Sequence, residues 1–440
     1  MVTRFGIDCR WSPRLAPGQG DLPPPTSRAY LAREMTVTTP ARDISVFGHR
    51  LARADVAFAL TVLAAYALAT DMAMTVAKVK PDFLMLVAER VFGGHLDSDA
   101  LKGGVDTVNV GGHYFIALGP LQLLSYLPFA AVPPLQGVGR WIVGLLFGVP
   151  AAWLSLPLAR SFGARGSDAF WIAAFTAFGT MLMYISVLGD AYYLAHAQSF
   201  LALTLFLLEW NGRRRPAALG ATLAISLLAR PTTVLAAIPF GLALLWKHRG
   251  QIPTAARQAL LFGAPIAAAI AVYGWFNWVR FGSPFEAGYS ISYMSEPDLV
   301  ARRAMGIFSI SQVPENLRLA LLALPAVVDS PPYILPSRWG MSMLLVSPAL
   351  LTAAWAGFRD RTAQLLWITA ALVAVPVFLY YGGGFVQYGF RYSLDFTPFL
   401  VALMAIASRR WAARPAHILI VASIVSGVYG LLAEVVWHAY

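Results

Sequence analysis

The stretch Ala54–Met74, ADVAFALTVLAAYALATDMAM, decides how the rest of the chain is read. It holds about 20 predominantly apolar residues, the length at which a helix crosses roughly 30 Å of hydrocarbon. It is too long for the apolar region of a cleavable leader and has no small-residue cleavage site, so it reads as a signal anchor. Runs of the same kind recur along almost all of the 440 residues, separated by arginine-rich punctuation. The chain is 58% hydrophobic and 12% charged, with a mean hydropathy of +0.62. Those values exclude a soluble domain. Barrel strands would alternate in pieces of about ten residues, so the pattern predicts an all-α polytopic transmembrane bundle of about 11 membrane segments, some short or broken.

Before this run, residues 1–50 are rich in Arg, Pro, Ser and Thr and lack hydrophobic periodicity. They read as a disordered, basic cytoplasmic tail, with Met35 an alternative start, and residues 51–440 as the transmembrane domain. The single cysteine, Cys9, excludes an intramolecular disulfide and a cysteine metal site. The net charge of +11 comes from short clusters flanking apolar runs, which fits topology and anionic headgroups better than nucleic acid.

After the run, residues 75–113 form a first loop carrying Asp82, Glu89, Asp97, Asp99, Lys102 and Asp106, and Gly119-Pro120 leads back into lipid. Excess Lys and Arg mark cytoplasmic loops. Arg50/Arg53, Arg213-Arg214-Arg215, Lys247-His248-Arg249, Arg359/Arg361, Arg409-Arg410 and Arg414 then share that side. From these anchors Arg257–Val279 runs outward, Met341–Gly357 inward, Ala363–Tyr380 outward, Phe396–Ser408 inward and Ile418–Val436 outward. Two full crossings between Tyr114 and Arg160 would put the Arg213 cluster on the wrong side, so one of these runs is expected to dip without spanning. Ala217–Trp246 has basic clusters at both ends and Arg230-Pro231 in its middle, so two short helices meeting at that proline are expected. On this map the first loop, Asp190 to His196, Arg230, the long loop 280–340 and Tyr381 to Asp395 all share the outer face.

Four stretches carry a resemblance: Gly103 through Gly119-Pro120, Ala229-Arg230-Pro231-Thr232, Asn277 to Tyr289, and Tyr388 to Tyr392 followed by Asp395-Phe396-Thr397-Pro398. In their order and spacing the chain resembles the bacterial multi-pass glycosyltransferases of the GT-C fold class. That superfamily includes the aminoarabinose and protein mannosyltransferases that use polyprenyl-phosphate-linked sugars. The resemblance implies a general base among first-loop carboxylates, a lipid-phosphate sugar donor, and transfer outside the cytoplasm to an envelope glycan, lipid or protein acceptor. It also implies a location in the bacterial inner membrane. The acidic pair that many members carry directly after the first helix is not evident here. The base therefore stays open among Asp71, Asp97, Asp99 and Asp106.

Such a transfer needs a base in reach of the acceptor hydroxyl and cationic donors for the departing phosphate. Asp106, just before the Gly111-Gly112 turn, is the first choice for base, and Asp71, at the outer end of the first helix, the second. Arginine suits phosphate through its planar fork. Arg391 and Arg230 lead that role, followed by Lys102 and Arg338. Arg391 has a local alternative in Asp395, four residues on. His196 either donates to phosphate or sugar or is a hydrogen-bonded structural residue. Glu286 and Tyr289 are candidates for the acceptor path, with Tyr293, Tyr333 and Trp339 as further aromatic surfaces or as an interfacial belt. No cluster has metal-ligand spacing, no cofactor is expected, and no phosphate loop, Rossmann pattern or nucleophile elbow occurs. The rival readings are a transporter or flippase of a lipid-linked sugar, marked by intramembrane Arg230, and a glycan polymerase or ligase.

Overall fold

In hydrocarbon every backbone polar group must be paired within the protein, and a chain this apolar meets that demand with helices. The computed structural model describes residues 45–46, 49–50, 53–76, 82–104 and 106–437. The expected disordered tail, with Cys9 and Met35, lies outside the described residues, apart from a two-residue ladder of β1 (Ser45–Val46) and β2 (His49–Arg50).

Helix α1 (Arg53–Val76) covers the first apolar run. The first loop is ordered into α2 (Phe83–Val91) and an antiparallel hairpin, β3 (Thr107–Val110) with β4 (His113–Ile116). Asp82 caps α2, its carboxylate accepting from Leu84 N at 3.1 Å. There follow α3 (Pro120–Ala130), α4 (Pro133–Gln136), α5 (Gly139–Ser161), α6 (Gly166–Phe178), α7 (Met181–Leu188) and α8 (Ala191–Asn211). Next come α9 (Pro216–Ala229), α10 (Ala237–Trp246) and α11 (Ile252–Phe281). The long loop holds α12 (Pro297–Ala304), α13 (Val313–Leu322) and the pair β5 (Ala326–Val327) and β6 (Ile334–Leu335). The chain ends with α14 (Met343–Val346), α15 (Arg361–Leu379), α16 (Thr397–Ala407) and α17 (Ala413–Trp437).

Six of these are long and apolar enough to cross a membrane, α1, α5, α8, α11, α15 and α17, and the pair α6–α7, bent by 45°, makes a seventh. The chain is a multi-pass membrane protein. The eleven expected segments resolve into these spans and shorter apolar helices such as α9, α10 and α16.

Hydrogen bonds fix which helix ends lie together. Arg160 at the end of α5 pairs with Asp55 at the start of α1, Asn211 at the end of α8 bonds the Ser161 carbonyl, and Arg409 donates to the Phe162 carbonyl at 2.9 Å. The basic clusters that follow α8, α10 and α16 lie at this end. At the other end Arg140 donates to the Leu188 carbonyl at 3.1 Å, Gln122 to the Ala229 carbonyl at 2.8 Å, and Arg280 to the Ile116 carbonyl at 2.8 Å. α3 stays at this second end. Its 11 residues reach about 16 Å, half a bilayer, and α5 makes the crossing.

The predicted break at Arg230-Pro231 is present: α9 ends at Ala229, a 3-10 turn covers Pro231–Ala236, and α10 returns. Met341–Gly357 differs from the single helix expected. It is α14 followed by a nine-residue 3-10 run, Pro348–Ala356, because Pro348 lacks an N–H and the Ala349 N–H is taken by Ser423 Oγ at 3.0 Å. Helices α5 and α7 touch where Gly144 and Gly148 face Ser186, and a Cβ at either glycine would run into that residue.

Candidate functional site

At the end of the bundle away from the basic clusters, a cavity of about 360 Å³ opens between the first-loop hairpin, the start of α8, the α9–α10 break and the segment before α16. Five of the residues singled out from sequence line it: Asp106, Arg230, Tyr289, Arg338 and Arg391. They lie as much as 285 positions apart, and the fold alone brings them together.

Asp106 stands immediately before β3 with φ of 61°, the left-handed region that Asp tolerates better than most residues. Two backbone bonds hold it there. Its N–H donates to the Tyr293 carbonyl at 3.0 Å, and Tyr293 N–H donates to the Thr107 carbonyl at 2.7 Å. Arg303 ties down the same loop by donating to the Ser292 carbonyl at 2.7 Å. Burial pushes the Asp106 carboxyl above the ordinary carboxylate range, against the pull of Arg391, the Tyr192 phenol and Arg303.

Arg391 opens the 3-10 turn before α16 and is 7% exposed. Its guanidinium donates to the Phe385 carbonyl at 3.1 Å and lies over the rings of Tyr193 and Tyr392, at 5.3 and 5.2 Å. Its Nε is buried without an acceptor, and among the described residues it has no carboxylate partner. It does not pair with Asp395. Carbonyl dipoles and ring faces surround this cation without neutralising it, which is the environment an anionic ligand completes.

Arg230 is built differently. Its Nε and a terminal nitrogen both donate to one oxygen of Asp395, at 2.8 and 2.7 Å, and the other oxygen meets His196 Nδ1 at 3.1 Å. His196 and Asp395 have fully buried side chains, so His196 stands behind the cavity wall. Tyr392 packs on both, its ring 4.8 Å from the Arg230 guanidinium and 5.1 Å from the His196 ring. Arg230 thus reaches the cavity with its charge already balanced. At the mouth, Arg338 forms a bidentate pair with Glu296, both bonds 3.0 Å, above Phe385. Tyr289 and Tyr380 meet edge to face at 6.1 Å, and burial raises both phenols, keeping them as hydrogen-bond donors.

The remaining candidates sit elsewhere. Asp71 and Lys102 are exposed and do not line the cavity. Glu286 holds its own turn, accepting from Gly288 N at 2.7 Å and from Ser290. Asp97 pairs with His113 at 2.8 Å, which holds its carboxyl below the usual range, while Asp99 is exposed. The cavity also contains residues sequence reasoning did not select: Asp190, Tyr192, Tyr193, Gln122, Tyr380 and Tyr392. Asp190 follows Gly189 and caps α8 through Tyr192 N at 3.0 Å, so a local role fully accounts for it in sequence. Among the described residues no group of three or more His, Cys, Asp or Glu is placed to hold a metal ion.

No known family profile matches the chain, and no curated protein matches it. Among solved structures it is similar to ArnT from Cupriavidus metallidurans, in a crystal structure bound to undecaprenyl phosphate and in one of the apo state. Each matches at a TM-score of 0.47 and 15% identity, covering 82% of this chain and 60% of that one. The chain thus spans about three fifths of that neighbour's length, and no residue role is carried across at this similarity.

Proposed function

We propose that the cavity transfers a sugar from a polyprenyl-phosphate donor to a hydroxyl of an envelope glycan, lipid or protein, on the extracytoplasmic side of the bacterial inner membrane. One observation carries the reading. A half-buried carboxylate, Asp106, and a buried arginine that forms no ion pair among the described residues, Arg391, share a cavity at the end of the bundle away from the basic clusters.

In this reading Asp106 takes the proton of the acceptor hydroxyl as its oxygen bonds the sugar's anomeric carbon. The bond from that carbon to phosphate oxygen breaks, and polyprenyl phosphate departs with one additional negative charge. The Arg391 guanidinium meets that charge, and Arg230, fixed by Asp395, serves as wall rather than counter-ion. Tyr289 and Tyr380 line the space left for the sugar. A donor dissolved in the bilayer suits a site whose walls are helix ends and membrane-adjacent loops.

The test uses the purified protein in proteoliposomes with radiolabelled polyprenyl-phosphate sugar. Label is expected to leave the lipid and enter an acceptor, with Asp106→Asn slowing transfer by about 100-fold or more. Full transfer by Asp106→Asn contradicts the assignment of the base. Movement of intact lipid between leaflets without loss of label supports a flippase instead.

A further inference from the structure

At the end of the bundle opposite the cavity the chain turns twice. Arg213-Arg214-Arg215 connect α8 to α9, and Lys247-His248-Arg249 connect α10 to α11. The two turns meet around a second cavity of about 590 Å³, lined by Arg213, Arg214, Arg215, Lys247, His248 and Gln258. One carboxylate, Glu209, is within reach and is already used. Its fully buried side chain receives Arg215 Nε at 3.0 Å and a terminal nitrogen at 2.8 Å. Arg214 Nε donates to the Trp210 carbonyl at 2.6 Å, with its guanidinium 5.0 Å above that ring. Arg213 and Lys247 are exposed, and among the described residues neither has a carboxylate partner. The cavity is therefore strongly positive.

Beside it runs an apolar lane. Ile238, Leu242 and Trp246 follow one another at i, i+4 and i+8 on α10, so they share one face, and they are 52%, 65% and 68% exposed. Arg249 lies over the Trp246 ring at 4.7 Å, where the lane meets the basic turn. A cationic hollow at the head of an apolar strip matches a molecule with an anionic head and hydrocarbon tails. A free phosphate ion would occupy the hollow alone, whereas a phospholipid already in the bilayer beside α10 uses the hollow and the strip together.

We propose that this pocket binds a phospholipid with a net negative headgroup, its phosphate among Arg213, Arg214 and Lys247 and its acyl chains along Ile238, Leu242 and Trp246. The lipid would join the two feet of the α9–α10 hairpin, whose apex carries Arg230 into the other cavity. The site does not depend on what that other cavity does.

The experiment is native mass spectrometry of the full chain released from micelles holding equal phosphatidylglycerol and phosphatidylcholine. The wild type is expected to retain phosphatidylglycerol preferentially, and the Arg213→Ala/Lys247→Ala double variant to lose that preference by about tenfold. Arg361→Ala, at the same end but outside the pocket, is expected to keep it. Three results overturn the proposal: no preference in the wild type, an equal loss in Arg361→Ala, or displacement of the lipid by millimolar inorganic phosphate. The wild-type comparison and the phosphate competition decide the matter even if the double variant does not fold.

Discussion

Arg230 and Arg391 line one cavity, and their partners separate their roles. Removing the carboxylate in Asp395→Asn leaves Arg230 buried without a counter-charge and weakens the bond to His196. The expected loss is about 3 to 5 kcal/mol, read as a lowered unfolding temperature in micelles; an unchanged temperature would show the pair to be dispensable. Arg391→Gln leaves no carboxylate stranded, so it is expected to fold while weakening donor binding. Its effect on pH is also defined. As the proposed base Asp106 is required ionised, so transfer is expected to fall as pH drops through its raised pKa, with the acid limb above the ordinary carboxylate range. Arg391 pulls that pKa down, so Arg391→Gln should move the limb to still higher pH. A limb that stays where it was in the variant sinks the coupling. In sequence Asp106 stood among four candidate carboxylates, and the fold sets it at the cavity while Asp71, Asp97 and Asp99 lie off it. Asp190 was not legible in sequence, since helix capping explains it. Nor was the Asp395 pairing, which reaches back 165 residues to Arg230 and for which no spacing rule exists.

Among the elements, hydrophobic length located most helices, and proline located the break between α9 and α10. The bend between α6 and α7 was not legible. No proline marks it, and it arises where Gly179 lets its backbone approach α17; a Cβ there would lie 2.8 Å from Ser423 Cβ. The contact of α5 with α7 likewise depends on small residues seen only in three dimensions. Gly148→Leu is expected to force these helices apart at Ser186, at a cost of about 1 to 3 kcal/mol. Thermal unfolding in micelles measures it, and wild-type stability would mean that the interface tolerates a wider separation than the packing implies. Gly189 closes α7 at φ of 60° against the Arg140 carbonyl, so the turn that presents Asp190 to the cavity requires glycine.

Across the whole molecule, charge is sorted by end: basic clusters cap one end of the bundle and the candidate site occupies the other. This sorting is legible in the loop arginines alone, because they set orientation. The enclosed shape of the cavity is not, since it is assembled from chain ends that sequence does not bring together. Sidedness is measurable on a Cys9→Ser background. A membrane-impermeant maleimide applied to spheroplasts is expected to label Ser290→Cys and to spare Arg361→Cys, and the reverse pattern would invert the topology. The central claim, that a lipid-linked sugar reacts between Asp106 and Arg391, is tested most directly by a structure of the protein with polyprenyl phosphate bound. The phosphate is expected within hydrogen-bonding distance of the Arg391 guanidinium, beside Asp106. Phosphate density confined to the basic pocket of Arg213 and Lys247, with the Arg391 cavity empty, would contradict it.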